Sequence, residues 1–157
     1  MTASIPRRLI LSALGSGIVL ADAIRSTAAL SDTGQGGDID QPGDPGDRAF
    51  IRRAFEMQRL AIEYGDQSYG AVVVMKGQIV GQSWSRVILD HDPTGHAEMS
   101  AIRDASRRLK NRNLSGAVLY SSSRPCPMCE AAAYWASVDQ MIHGADASKA
   151  GPPKLCR

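Results

Sequence analysis

Pro125-Cys126-Pro127-Met128-Cys129 is the segment from which the fold of this chain is best predicted, together with His96-Ala97-Glu98 about thirty residues earlier. Cys126 and Cys129 are three residues apart, so on a helix they lie on the same face. Pro127 suits the first position of a helix, where its missing N–H costs nothing. The segment therefore predicts a helix that carries both sulfur atoms in its first turn.

His96 occupies the corresponding place on a second predicted helix, from Gly95 to Lys110, with Thr94 as the expected N-cap. One imidazole and two thiolates are three ligands of a tetrahedral zinc site, and a catalytic zinc keeps its fourth position for water. We therefore predict that one Zn²⁺ is bound by three residues: His96, Cys126 and Cys129.

Glu98 follows His96 by two residues, which places it about 200° away on an ideal helix. That position is poor for a fourth metal ligand, but the carboxylate can still reach a water in the pocket and move protons. Two alternatives remain open. The site is a structural zinc with a fourth protein ligand, or the two cysteines form a redox pair; the candidate fourth ligands are His91, His143 and Cys156.

The hydrophobic pattern around these motifs predicts the other elements. An amphipathic helix over residues 48–64 ends at Gly65, and a hairpin of strands follows over residues 70–75 and 78–84, with its turn at Lys76-Gly77. Further elements are a strand over 117–121, a helix over 127–136 and a strand over 138–143. This order indicates an α/β fold with a mixed sheet.

The helix over 127–136 is apolar almost all round, because it contains three successive alanines followed by Tyr134 and Trp135. A helix of this kind is normally buried on all sides. In so small a domain, we expect it to pack between its own sheet and a second copy of the chain. The sequence thus predicts a homodimer.

The N-terminus has the composition of an export signal. Arg7 and Arg8 precede twelve uncharged residues, Leu9 to Leu20, a run too short to span a membrane or to act as a stable anchor. The paired arginines resemble a twin-arginine signal, so residues 1–30 predict export to the periplasm. The alternative is an N-terminal helix of a cytoplasmic protein. Residues 31–47, rich in Gly, Pro and Asp, predict a flexible linker, and residues 48–157 form the domain.

Composition narrows the possible functions. Of the 157 residues, 43% are hydrophobic and 22% charged, as in soluble globular proteins. The net charge of +2 makes nucleic acid an unlikely partner, since nucleic-acid-binding proteins usually carry a strongly basic patch. Three cysteines do not form a disulfide scaffold. These values leave a small-molecule substrate open.

The two motifs together resemble the signature of the zinc-dependent cytidine and deoxycytidylate deaminase superfamily, H-x-E followed by P-C-x-x-C. The resemblance extends from about Tyr69 to Gly144. Three segments are most similar to bacterial guanine deaminases: DPTGHAEMSAIR from Asp92, LYSSSRPCPMC from Leu119 and AYWA from Ala133. The resemblance implies a three-layer α/β/α sandwich with a mixed sheet, short at the C-terminus.

The same resemblance implies roles for individual residues. Zinc would be held by the three predicted ligands, and Glu98 would be the catalytic residue that moves protons. Substrate contacts would come from the N–H of Ala97, from Trp135 and from position 85, where Ser85 replaces the family's asparagine. A second replacement is Arg124, where the family commonly has glutamate.

The resulting hypothesis is a hydrolase that removes an amino group from a free nucleobase, with guanine or a similar purine preferred. The alternatives within the superfamily are a cytosine deaminase and a tRNA adenosine deaminase. A non-catalytic binding protein that zinc stabilises is the alternative from another class.

Overall fold

The computed structural model describes residues 37–155. The export segment predicted at residues 1–30 and the first part of the linker, residues 31–36, lie outside this range. Within it, helices and strands follow in this order: α1 (Asp47–Glu63), β1 (Gly70–Met75), β2 (Gln78–Trp84), α2 (Ala97–Leu109), β3 (Ala117–Ser121), α3 (Pro127–Trp135), β4 (Gln140–His143) and β5 (Ser148–Gly151).

The predicted elements are confirmed to within two residues at each end, and β5 is the strand that the sequence did not predict. Its residues, Ser-Lys-Ala-Gly, lack the alternation of large apolar side chains that marks a half-buried strand. Pairing with β4 supplies its backbone hydrogen bonds instead.

The five strands form one mixed sheet in the order β2-β1-β3-β4-β5. The β3–β4 pair is parallel, with α3 as its crossover connection, and the other three pairs are antiparallel. A parallel pair needs such a crossover, because the chain must return to the same end of the sheet. β2 and β3 end at the same edge of the sheet, because each is antiparallel to β1, so α2 and α3 both begin near that edge.

Alternate residues of β1 face opposite sides of the sheet, as the period of two in a strand requires. Ala71 and Val73 pack against α2 and α3, whereas Val72 and Val74 pack against α1. Helices therefore cover both faces of the sheet, which confirms the predicted three-layer α/β/α sandwich.

The described part of the linker segment contacts the domain. The Gln41 side chain donates to the carbonyl oxygen of Ile79 at 2.9 Å and accepts from the N–H of Ile79 at 2.8 Å. Ile39 packs against the apolar cluster under α1. The flexible linker was predicted from composition alone; these contacts attach residues 39–41 to the edge strand β2.

Helix α3 is less enclosed than its composition predicted. Cys129 and Ala133 are buried, but Tyr134 and Trp135 are 43% and 67% exposed. The apolar residues at the end of α3 therefore lie at the surface of the single chain. Among residues 37–155, none of the helices is long and apolar enough to cross a membrane.

Candidate metal centre and active site

Two helix starts carry the predicted metal ligands. His96 is the N-cap of α2, and Cys126 is the N-cap of α3, with Pro127 at the first helical position as predicted. The prediction of Thr94 as the N-cap is wrong, because its hydroxyl and its N–H both donate to the Asp92 carboxylate, at 2.7 and 2.8 Å. Thr94 therefore belongs to the turn around Asp92, and His96 takes the N-cap position instead.

The three predicted ligands come together. The Nδ1 atom of His96 lies 3.6 Å from each of the Cys126 and Cys129 sulfurs, and the two sulfurs are 3.6 Å apart. In a tetrahedral zinc site, bonds of about 2.3 Å to sulfur and about 2.0–2.1 Å to nitrogen put neighbouring donors about 3.5–3.8 Å apart. The donor set therefore fits Zn²⁺ in both chemistry and spacing.

The group contains three donors among residues 37–155, and no fourth His, Cys, Asp or Glu in that range joins it. His91 and His143 are therefore not part of it, and Cys156 lies outside the described range. Three protein ligands are the arrangement of a catalytic zinc site rather than a structural one.

Glu98 points its carboxylate toward the same centre. Its Oε2 atom lies 3.5 Å from the Cys129 sulfur, and the residue is only 4% exposed. His96 precedes the helix as its N-cap, so the ideal-helix angle between His96 and Glu98 does not apply. Burial raises the pKa of the Glu98 carboxyl, outweighing its hydrogen bonds and the charge of His96. A carboxyl of this kind holds a proton more readily than an exposed one.

The environment of Cys129 favours a cation at the centre. Burial, followed by the charges of Glu98 and Cys126, raises the pKa of the Cys129 thiol. A thiolate at this position needs a compensating positive charge, which a coordinated metal ion provides outright.

A pocket of about 600 Å³ opens at this centre. Its wall is made by seven residues: Gln67, Tyr69, His96, Glu98, Ser123, Arg124 and Cys126. Gln67 and Tyr69 were not predicted as site residues. They reach the pocket because β1 and β3 are antiparallel, so the chain before β1 flanks the chain after β3. A sequence gives no direct signal of this pairing.

The buried carboxylate of Asp66 fixes the loop that precedes α2. Asp66 accepts hydrogen bonds from the N–H groups of Ile88 and Leu89, at 2.9 and 3.0 Å, and from that of Gln67 at 2.7 Å. Burial opposes ionisation, but these donors together with the nearby Ser85 hydroxyl outweigh it and lower the pKa of Asp66. Asp66 thus joins the end of α1 to the loop that leads to His96.

None of the three predicted substrate contacts, Ser85, Ala97 and Trp135, has its side chain in the wall of this pocket. Ser85 and Ala97 are fully buried and do not line it, although Ala97 is the first residue of α2, where backbone N–H groups lack partners within the helix. Trp135 lines a different pocket, with Arg112 and Pro152. It lies six residues after Cys129, about 9 Å further along the axis of α3.

Comparison with known proteins agrees with this geometry. Residues 45–145 match the model of the cytidine and deoxycytidylate deaminase zinc-binding region. The chain belongs to this family. Its cofactor is therefore zinc, and the deaminase chemistry is the hydrolysis of a C–N bond outside peptides.

Two relatives differ in what they act on. The deaminase domain is 38% identical over 106 residues to the guanine deaminase of Bacillus subtilis, which covers 65% of this chain and 68% of the relative. It is 34% identical over 99 residues to a tRNA-specific adenosine deaminase of Buchnera aphidicola, covering 63% and 61%. The matched region thus spans about two thirds of each relative.

The solved structure of the Bacillus subtilis guanine deaminase is also similar to this deaminase. The two superpose with a TM-score of 0.60 at 37% identity, over 62% of each chain. The cytidine-deaminase-like fold predicted from the two motifs is therefore confirmed.

Proposed function

We propose that this deaminase acts on a free nucleobase, with guanine or a similar purine preferred. One observation carries the proposal: the buried Glu98 carboxylate lies at the three-donor centre, in the wall of a pocket open to a ligand. A proton-transfer group and a Lewis-acid site at one position are what hydrolysis of an aminated heterocycle requires.

His96, Cys126 and Cys129 would hold the zinc ion. When bound, zinc lowers the pKa of water and so supplies a nucleophile near neutral pH. Glu98 accepts a proton from water and gives it to a ring nitrogen of the base, then accepts the remaining hydroxyl proton of the adduct and gives it to the departing amine. The base and water are converted to an oxo heterocycle and ammonia. N–H groups at the starts of α2 and α3, including that of Ala97, stabilise the developing negative charge.

The choice of a free purine rests on three supports. The segments around His96 and Cys126 are similar to bacterial guanine deaminases, the identity to one such enzyme is 38%, and the net charge of +2 is small for a protein that binds RNA. The second candidate is tRNA adenosine, because relatives named as tRNA-specific adenosine deaminases are 33–36% identical.

The test is a panel measured with zinc-loaded protein: guanine, adenine, cytosine and an RNA stem-loop with a single-stranded adenosine. Ammonia release from guanine at the highest kcat/KM is the expected result. A preference for the RNA would replace the proposal with the second candidate. No turnover, with equal ligand binding by wild type and Glu98→Gln, would favour a binding protein.

We also propose that the chain is a homodimer through the exposed end of α3. Tyr134 and Trp135 form an edge-on aromatic pair with ring centroids 5.5 Å apart. Sedimentation should give a dimer for the wild type and a monomer for Trp135→Asp. A monomeric wild type at micromolar concentration would contradict the proposal.

A further inference from the structure

Arg124 is the arginine, among the described residues, that lines the pocket at the metal donors, and no ion pair occupies its guanidinium. Arg53, Arg86 and Arg108 pair with carboxylates three or four residues away, at 2.7–2.8 Å. None of the ion pairs within residues 37–155 includes Arg124, which is exposed. Its guanidinium is therefore available to an external anion.

Arg124 lies in the wall of the active-site pocket, two residues before Cys126 in the sequence. Of the residues from 37 to 155, Glu98 alone contributes a carboxylate to that wall, and it faces the metal donors. The remaining neighbours, Gln67, Tyr69 and Ser123, are neutral groups able to donate hydrogen bonds. The part of the wall outside the metal donors and Glu98 thus presents hydrogen-bond donors and one positive charge.

The segment that carries Arg124 is held in place. The Ser121 hydroxyl donates to the carbonyl oxygen of Ser123, and Pro125 is buried. A residue that precedes proline is also restricted in backbone conformation. The backbone of Arg124 is therefore fixed relative to the metal donors, which lowers the entropy cost of binding.

The pocket has room for more than a bare base. Its volume of about 600 Å³ lies within the range of about 300–1,000 Å³ that holds drug-sized ligands. A flat heterocycle can place its amino group at the metal donors and still carry a substituent toward the rim.

We propose that Arg124 binds a carboxylate or phosphate group carried by the amino heterocycle, so that the preferred substrate is an anion. The guanidinium fork matches both groups with two parallel hydrogen bonds. The inference rests on the deaminase activity of the proposed function; it would replace the neutral free base named there with an anionic derivative of an amino heterocycle.

The test compares substrates that differ by one anionic group. Pterin and 6-carboxypterin test a carboxylate, and guanine and guanosine 5′-monophosphate test a phosphate. Each pair is measured with zinc-loaded wild type, Arg124→Gln, Arg124→Lys and the control Arg48→Gln, an exposed arginine at the start of α1.

The wild type should prefer the charged member of at least one pair. Arg124→Gln should then raise KM for that anion by about 10–100-fold, as expected for a lost charge-assisted hydrogen bond, with less than about threefold change for the neutral member. Arg124→Lys should recover part of the loss, and Arg48→Gln should behave as wild type. Equal losses for both members, or a wild type that prefers both neutral members, would overturn the inference.

A binding measurement distinguishes a failure of this inference from a failure of the proposed function. If no compound is turned over, the deaminase proposal fails, and calorimetry with the same pairs still tests Arg124. Tighter binding of an anion than of its neutral counterpart, lost in Arg124→Gln, supports the role of Arg124. Equal binding of the two members in both pairs overturns it.

Discussion

Gly81 on β2 lies directly against Ala105 on α2: a β-carbon at residue 81 would stand 2.5 Å from the Ala105 nitrogen and 2.6 Å from the Ala101 carbonyl oxygen. Both atoms belong to backbone, so neither can move aside as a flexible side chain would. The absence of a side chain at residue 81 therefore sets how closely α2 approaches the sheet. The start of α2 carries Glu98, so this contact also bears on the position of the active site.

Gly81→Ala should lower the free energy of unfolding by about 1–3 kcal/mol or more, because it overpacks the contact between β2 and α2. Urea unfolding followed by circular dichroism measures the change. The control is Gly43→Ala, where a new β-carbon meets nothing within 4 Å; it should stay within about 0.5 kcal/mol of wild type. Equal effects of the two variants would contradict the close packing.

Replacing any of the three predicted ligands should remove the metal. His96→Ala, Cys126→Ala and Cys129→Ala should each contain far less than one zinc per chain by elemental analysis, since two donors bind zinc weakly. Cys156→Ala should keep a full zinc, because a three-ligand site does not use that thiol. Full zinc in a ligand variant, or loss in Cys156→Ala, would argue for a different ligand set.

Glu98→Gln should keep its zinc and lose about 10²–10⁴-fold in kcat, the usual contribution of a general acid or base. Glutamine fills the same buried space but cannot transfer the proton. Zinc content and ammonia release are measured on the same preparation, so a lost ion is distinguished from lost proton transfer. Full activity of a zinc-loaded Glu98→Gln would remove Glu98 from the mechanism.

Asp66 predicts how stability depends on pH. Its pKa is lowered in the folded state, below an unfolded value near ~3.9. Its ionised form therefore stabilises the fold above about pH 4, and this contribution is lost as the pH falls through the folded pKa. Asp66→Asn should cost about 1–3 kcal/mol at pH 7 through lost hydrogen bonds to the loop. The difference in free energy of unfolding between Asp66→Asn and wild type should become smaller in acid. A difference that stays constant down to pH 2 would contradict this.

We propose that residues 1–30 direct export through the paired arginines Arg7 and Arg8. Replacing both with lysine should keep the chain in the cytoplasm with its N-terminus intact, because twin-arginine recognition depends on the arginine pair. Fractionation and N-terminal sequencing measure the outcome. An unchanged location of the double variant, or an uncleaved wild-type chain in the cytoplasm, would contradict the proposal.

Much of the fold could be predicted, because its strong patterns are local. The valine-rich run of β1, the Lys76-Gly77 turn and the periodicity of α1 each reflect the element that they form. The metal centre could also be predicted, since its two motifs place donors at helix starts. Each of these signals lies within a few residues of sequence, whereas the meeting of the two motifs, thirty residues apart, is implied by their resemblance to a known family.

The remaining features depend on contacts between distant parts of the chain. β5 forms by pairing with β4, and Gln67 and Tyr69 reach the pocket through the antiparallel pairing of β1 with β3. Trp135 was expected near the substrate from resemblance, but the length of α3 separates it from Cys129 within one chain. None of these relationships is visible in local spacing.

The metal donors close a long loop. His96 and Cys126 are thirty residues apart, and the chain between them contains α2 and β3. An ion that joins them acts as a cross-link, which restricts the unfolded chain as well as completing the centre. Removal of zinc should therefore weaken the whole domain and not the pocket alone, because the starts of α2 and α3 are both joined through the ion.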